Sequence, residues 1–139
     1  MKNKSIFIGS LCLVLALGLV FAGCTQLVEF ATLGSPRNVE AKYSSKVEEL
    51  TVTWDAVSGA AGYRVVTSQK GKKTYQSTGY SGHPIVGRDD SIPDIDKWEA
   101  VIDESDLPEG TFTVGVIAIA RRYDINDSNP KWAAGTFNK

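Results

Sequence analysis

The chain has 139 residues, 42% of them hydrophobic, with 15 Lys and Arg against 16 Asp and Glu. That length suits one domain around one core, and a near-neutral chain whose only basic runs are Lys70, Lys72, Lys73 and Arg121, Arg122 lacks the stripe that nucleic acid requires. Its two cysteines, Cys12 and Cys24, both precede the folded part, which therefore has no disulfide framework or thiolate metal site and must hold by packing.

Residues 1–23 have the layout of an export signal: basic Lys2 and Lys4, then an apolar run from Ile6 to Phe21. A run of about 16 residues is shorter than the ~20 that span a bilayer comfortably, which favours a signal peptide over a permanent helix. Phe21, Ala22, Gly23 and Cys24 resemble the lipobox of bacterial lipoproteins, although Phe21 stands where Leu is usual. The resemblance implies that Cys24 is lipidated, becomes the first mature residue and anchors the chain in the cell envelope. Thr25, rather than Asp, follows the cysteine; by the same resemblance this implies the outer membrane if the source is a diderm bacterium. Without Lys2 and Lys4 the mature chain holds 13 basic and 16 acidic residues, a net charge of −3.

Residues 24–35 comprise the lipidated cysteine and a membrane-proximal tether. Fully extended, residues 25–35 reach at most ~35–40 Å, so the domain sits near the lipid surface. Leu27, Val28, Phe30 and Leu33 are apolar for a linker, and two readings stay open: a helix continued from the signal or laid in the interface, and a disordered arm.

The domain is expected from Pro36, with a first edge strand placing Val39 and Ala41 inward. Leu50 to Val66 then holds two alternating strands about a Ser58, Gly59, Gly62 corner. Leu50, Val52 and Trp54 share one face in the first, and Tyr63, Val65 and Thr67 share one in the second. Trp54 is the expected core anchor. A turn at Gly71 leads to a short strand over 74–78. Residues 79–95, with Gly79, Gly82, Pro84, Gly87 and Pro93, have the composition of a long loop. Trp98, Ala100 and Ile102 alternate again. Phe112, Val114, Val116 and Ala118 line one face of the longest strand, and after the polar loop 123–130 a last strand runs from Lys131 to Phe137.

Seven strands at this spacing suggest an immunoglobulin-like sandwich. Pro36 with Val39 and Ala41, the Trp54 strand, Gly62-Tyr63-Arg64-Val65, Leu107-Pro108 with Gly110-Thr111, and the Val114, Val116, Ala118 series together resemble a fibronectin type III domain over residues 36–139. The expected class is thus all-β: a seven-stranded antiparallel sandwich of fibronectin type III topology behind an N-terminal signal helix. Where that family usually places a corner tyrosine, this chain has Phe112, which fills the volume but cannot donate the hydrogen bond, worth roughly 0.5–1.5 kcal/mol. The resemblance implies a spacer or binding module.

Catalysis needs a nucleophile with a base, a metal, or paired carboxylates. The single histidine, His83, lies in the Gly-rich stretch with no cysteine or second histidine to join it. Nine acidic residues fall between Asp89 and Glu109, but the spacing does not match a calcium loop, and solvated loop charge is the simpler reading. Asp124, Asn126, Asp127 and Asn129 are expected to make turns. No enzyme, cofactor or metal site is therefore expected.

Apolar surface is the better clue. With Phe112, Val114 and Val116 inward, Ile117 and Ile119 face outward, and Val66 faces outward on the neighbouring strand, in a stripe extended by Trp132. Exposed, these four residues would mark a partner site. The alternative is that residues 79–95, with Tyr80, Ile85 and Val86, fold over them. Trp98 and Trp132 also have the chemistry to stack on sugars, although core or rim packing is the commoner use of such side chains. The expected function is a lipid-anchored module for an unknown protein or glycan; the alternative is a structural or accessory subunit of an envelope complex.

Overall fold

A computed structural model describes residues 29–72, 74–86 and 93–139, with backbone alone for 86 and 93–95. The expected signal, Cys24 and the first part of the tether lie outside the described residues, as do residues 87–92. The strands are β1 (Ala31–Thr32), β2 (Arg37–Ser44), β3 (Glu49–Asp55), β4 (Ala60–Gln69), β5 (Gln76–Ser77), β6 (His83–Val86), β7 (Pro93–Asp103), β8 (Thr111–Ala120), β9 (Ile125–Asn126), β10 (Lys131–Trp132) and β11 (Phe137–Asn138).

The long alternating strands form the centres of two sheets. One has the order β2-β3-β7-β6 and the other β10-β8-β4-β5, with β11 also pairing β8, and every pairing within them is antiparallel. In β3 the period of two places Leu50, Val52 and Trp54 in the core, where Ala100 and Ile102 of β7 join them. Tyr63 and Val65 of β4 and Phe112, Val114, Val116 and Ala118 of β8 meet them from the other sheet. The molecule is an all-β antiparallel sandwich of immunoglobulin-like strand order.

Residues 79–86 are not the loop that their glycines and proline suggest. From β5 the chain continues alongside β4, Thr78 donating its N–H to the Val65 carbonyl and Val65 donating to the Tyr80 carbonyl, both at 3.0 Å. It then crosses to the opposite sheet at Ser81-Gly82 and becomes β6, an eighth main strand at the edge beside β7. Gly82 makes that crossing sterically feasible: its φ is +73°, and a Cβ there would lie 2.8 Å from both Trp54 Cζ2 and the Glu99 carbonyl oxygen. Trp54 is thereby sealed in the core, its indole N–H without a hydrogen-bond partner among the described residues.

The C-terminal part of the expected tether also belongs to the fold. β1 pairs in parallel with β9, Ala31 opposite Ile125 and Thr32 opposite Asn126, and Leu33 donates its N–H to the Asn126 carbonyl. Leu33 packs against the core beside the Gly59 turn, while the Ser35 hydroxyl donates to the Asn129 carbonyl and Pro36 is fully buried.

Phe112 fills its expected core position and packs on Phe137 with ring centroids 5.9 Å apart. A tyrosine tie exists elsewhere: the Tyr63 hydroxyl accepts the Val57 N–H at 2.6 Å, bracing the turn between β3 and β4.

Candidate interaction face

In the β8–β4 ladder Val66 stands opposite Gly115, Arg64 opposite Ile117 and Gly62 opposite Ile119, so these residues lie on the face turned away from the core. The expected exposed stripe nevertheless needs correction. Val66 is 0% and Ile117 2% exposed, while Ile119 and Trp132 are partly buried. β8 is thus covered on both faces along its middle.

Over Gly115 and its neighbour Val66 the cover comes from the two sheet edges. Trp132, on β10, stands opposite Gly115 and lays its indole across that residue: a Cβ on Gly115 would fall 2.7 Å from Cε3 and 3.0 Å from Cδ2. Tyr75, at the start of the opposite edge strand, meets it in a T-shaped contact with ring centroids 6.4 Å apart. Since β8 and β4 lie between those edges, the two rings can meet only above them. They roof Gly115 and the neighbouring Val66. Residues 83–86 take no part, because they pair with the other sheet, and Tyr80, on this sheet's edge beside Val65, packs against the core instead.

What remains accessible is the roof. Tyr75 is 47% exposed, beside half-buried Trp132, and Ser77, which shares their face opposite Val66, is exposed. Of the four expected contact residues, Trp132 lies in this surface, Ile119 lies farther along the same face, Val66 lies beside the roofed Gly115, and Ile117 is buried. Sequence reasoning missed Tyr75. The available signal was Gly115, since a glycine inside a strand often marks a close approach. Trp98 is not a sugar platform of the same kind, for its half-buried ring packs against Tyr63 at a 58° tilt with centroids 4.9 Å apart, and Tyr63 in turn meets Trp54 edge-on at 5.4 Å.

The polar candidates are dispersed. His83 is exposed on β6, its Nδ1 3.2 Å from the Pro84 carbonyl. The acidic stretch is partly tied to tyrosines: Tyr43 donates to Glu104, and Tyr80 donates to Asp106 at 2.7 Å. Each bond to a carboxylate favours the neutral phenol, raising both tyrosine pKa values above 10.0. At the other end Arg122 grips Asp124 through Nε at 2.9 Å and Nη2 at 2.5 Å, which holds the Asp124 carboxyl below its ordinary value. A cavity of about 210 Å³ opens between the sheets beside Leu50, Leu107, Phe112 and Phe137.

No protein-family model and no curated protein matches the chain. Among solved structures it is similar to a Fn3-like protein from Clostridium thermocellum, with 17% identity over 74% of this chain and 91% of that one and a TM-score of 0.49. A second similar structure, described as a myokine, has 16% identity over 77% and 97% of the two chains and a TM-score of 0.45. What the chain's own strand order shows is an all-β, immunoglobulin-like antiparallel sandwich, and a fold by itself names no partner.

Proposed function

We propose that this chain is a lipid-anchored bacterial envelope protein whose single sandwich is a non-catalytic interaction module, and that it engages a protein partner on the outer face around Trp132 and Tyr75. The observation that carries the reading is the aromatic roof itself. Two large rings from opposite sheet edges are held over a glycine that leaves room for one of them, and Tyr75 stays half exposed. Rigid Trp and Tyr side chains are the usual anchors of protein interfaces, because they offer large contact area at small entropic cost. The lipobox-like Phe21-Ala22-Gly23-Cys24 supports the anchor.

A photoreactive residue in place of Tyr75, in the full-length chain in its own cells, tests the surface. Tyr43, 44% exposed on the other sheet, is the control position. A discrete protein adduct from position 75 that disappears with Trp132→Ala is expected. Absence of an adduct at 75, or the same adduct from 43, refutes the assignment. An adduct with one stoichiometric envelope protein would identify an accessory subunit. For the anchor, Cys24→Ser should leave an unprocessed precursor without acyl mass; a wild-type chain equally unmodified would refute lipidation.

A further inference from the structure

We infer that the end of the sandwich formed by Phe30 and the loop Arg121–Asp124 lies against the headgroup layer of the bilayer in which the chain is anchored. The inference rests on the lipid anchor proposed above and adds an orientation to it. The parallel register of β1 and β9, continued back by one residue, sets Phe30 level with Asp124, and the Asn126 side chain donates to the Phe30 carbonyl at 3.5 Å. Pairing of 31–32, burial of Leu33 and the bond from Ser35 fix this segment to the domain, so the chain departs toward Cys24 from this end alone. From Cys24 to Phe30 is six residues, a reach of at most about 20 Å at ~3.3–3.6 Å each. The ten residues of β8 make the sandwich about 33 Å long. Such an anchor cannot carry the opposite end, at Phe137 and Asn138, to the membrane while leaving this end in bulk water.

The side chains presented here suit that layer. Phe30 is 51% exposed and Tyr123 is fully exposed. Arg122 is neutralised by Asp124, while exposed Arg121, bonded through its backbone N–H to the Gly59 carbonyl, leaves its guanidinium available for a lipid phosphate. Glu29 and Asp127 are also exposed nearby, and Asp127 is occupied by the Ala120 N–H. An aromatic ring with a polar tip, next to a cation, is the usual occupant of the interface between lipid and water.

The test uses the full chain, processed and lipidated in cells, then reconstituted into vesicles of phosphatidylethanolamine and phosphatidylglycerol with brominated acyl chains. Tyr123→Cys and, at the far end, Asn138→Cys each carry an environment-sensitive dye; both sites are exposed, and Cys24 is blocked by its lipid. Quenching several-fold stronger at 123 than at 138, with a blue-shifted emission, is expected. Equal quenching at the two sites in acylated protein that floats with the vesicles overturns the docking and leaves the anchor standing. Protein without acyl mass on Cys24, or protein that does not float, overturns both.

Discussion

Replacing Gly115 by alanine inserts one methyl group where the indole of Trp132 already lies. The new Cβ would stand 2.7 Å from Cε3, 3.0 Å from Cδ2 and 3.1 Å from the Lys131 carbonyl oxygen. The last of these belongs to the backbone of the paired edge strand, so the methyl cannot be accommodated by rotation of the ring alone. Overpacking of this kind costs about 1–3 kcal/mol, while removing a glycine from a strand interior returns roughly 0.5–1 kcal/mol. The net expectation is a loss of about 1–2 kcal/mol, or roughly 5–15 °C in Tm for a domain of this size. Urea denaturation of Gly115→Ala, Trp132→Ala and the double variant supplies the decisive comparison. Once the indole is gone only the 3.1 Å approach to the Lys131 carbonyl remains, so the methyl should cost the double variant little relative to Trp132→Ala alone, a coupling of about 1–2 kcal/mol. A neutral Gly115→Ala, or simple additivity, would refute the aromatic roof.

Gly82→Ala should be worse, on the order of 3 kcal/mol or more, because it combines a left-handed backbone with a collision against the Glu99 carbonyl and Trp54; calorimetry of the two glycine variants ranks them. Tyr63→Phe leaves the Val57 N–H without its acceptor, and about 1 kcal/mol of stability together with faster hydrogen exchange at that amide is expected. Glu104→Gln should bring the Tyr43 pKa down toward 10.0 in a phenolate absorbance titration, since the bond to the carboxylate raises it first and burial second. Arg122→Gln should raise the Asp124 pKa, followed by carboxyl NMR. Asp124 is depressed in the folded chain, so its small contribution to stability is present above the unfolded-state pKa and fades as pH falls through the folded one.

The centre of the fold was legible because β3 alternates strictly and β7 and β8 are long with apolar residues at every second position of their inner faces, so that Trp54, Ile102 and Phe112 could be placed inward from period alone. The edges were not. β5 and β10 are two residues each, too short for any periodicity, and β6 is hidden behind Gly82 and Pro84, whose turn chemistry outweighs the apolar pair that follows. The candidate site suffers most from this, since it is built by edges. Val66 and Ile117 were assigned to the correct face, but the cover over Gly115 and Val66 depends on where Tyr75 and Trp132 meet, a contact between residues 57 positions apart in the chain. The same holds for Leu33, whose apolar character was visible while its docking site beside Gly59 was not.

The parallel pairing of Ala31–Thr32 with Ile125–Asn126 has a mechanical meaning. Any pull on the chain from its N-terminal side reaches this short ladder and the Leu33 bond before it reaches the sandwich. A load along the strand axis stresses those bonds together, in shear, whereas a sideways load opens them one at a time. The joint should therefore be stiff to a pull along the strands and compliant to a sideways one. Beyond it, the much longer β2–β3 ladder takes the load, so the segment yields first as a fuse and the aromatic-roofed sheet is spared.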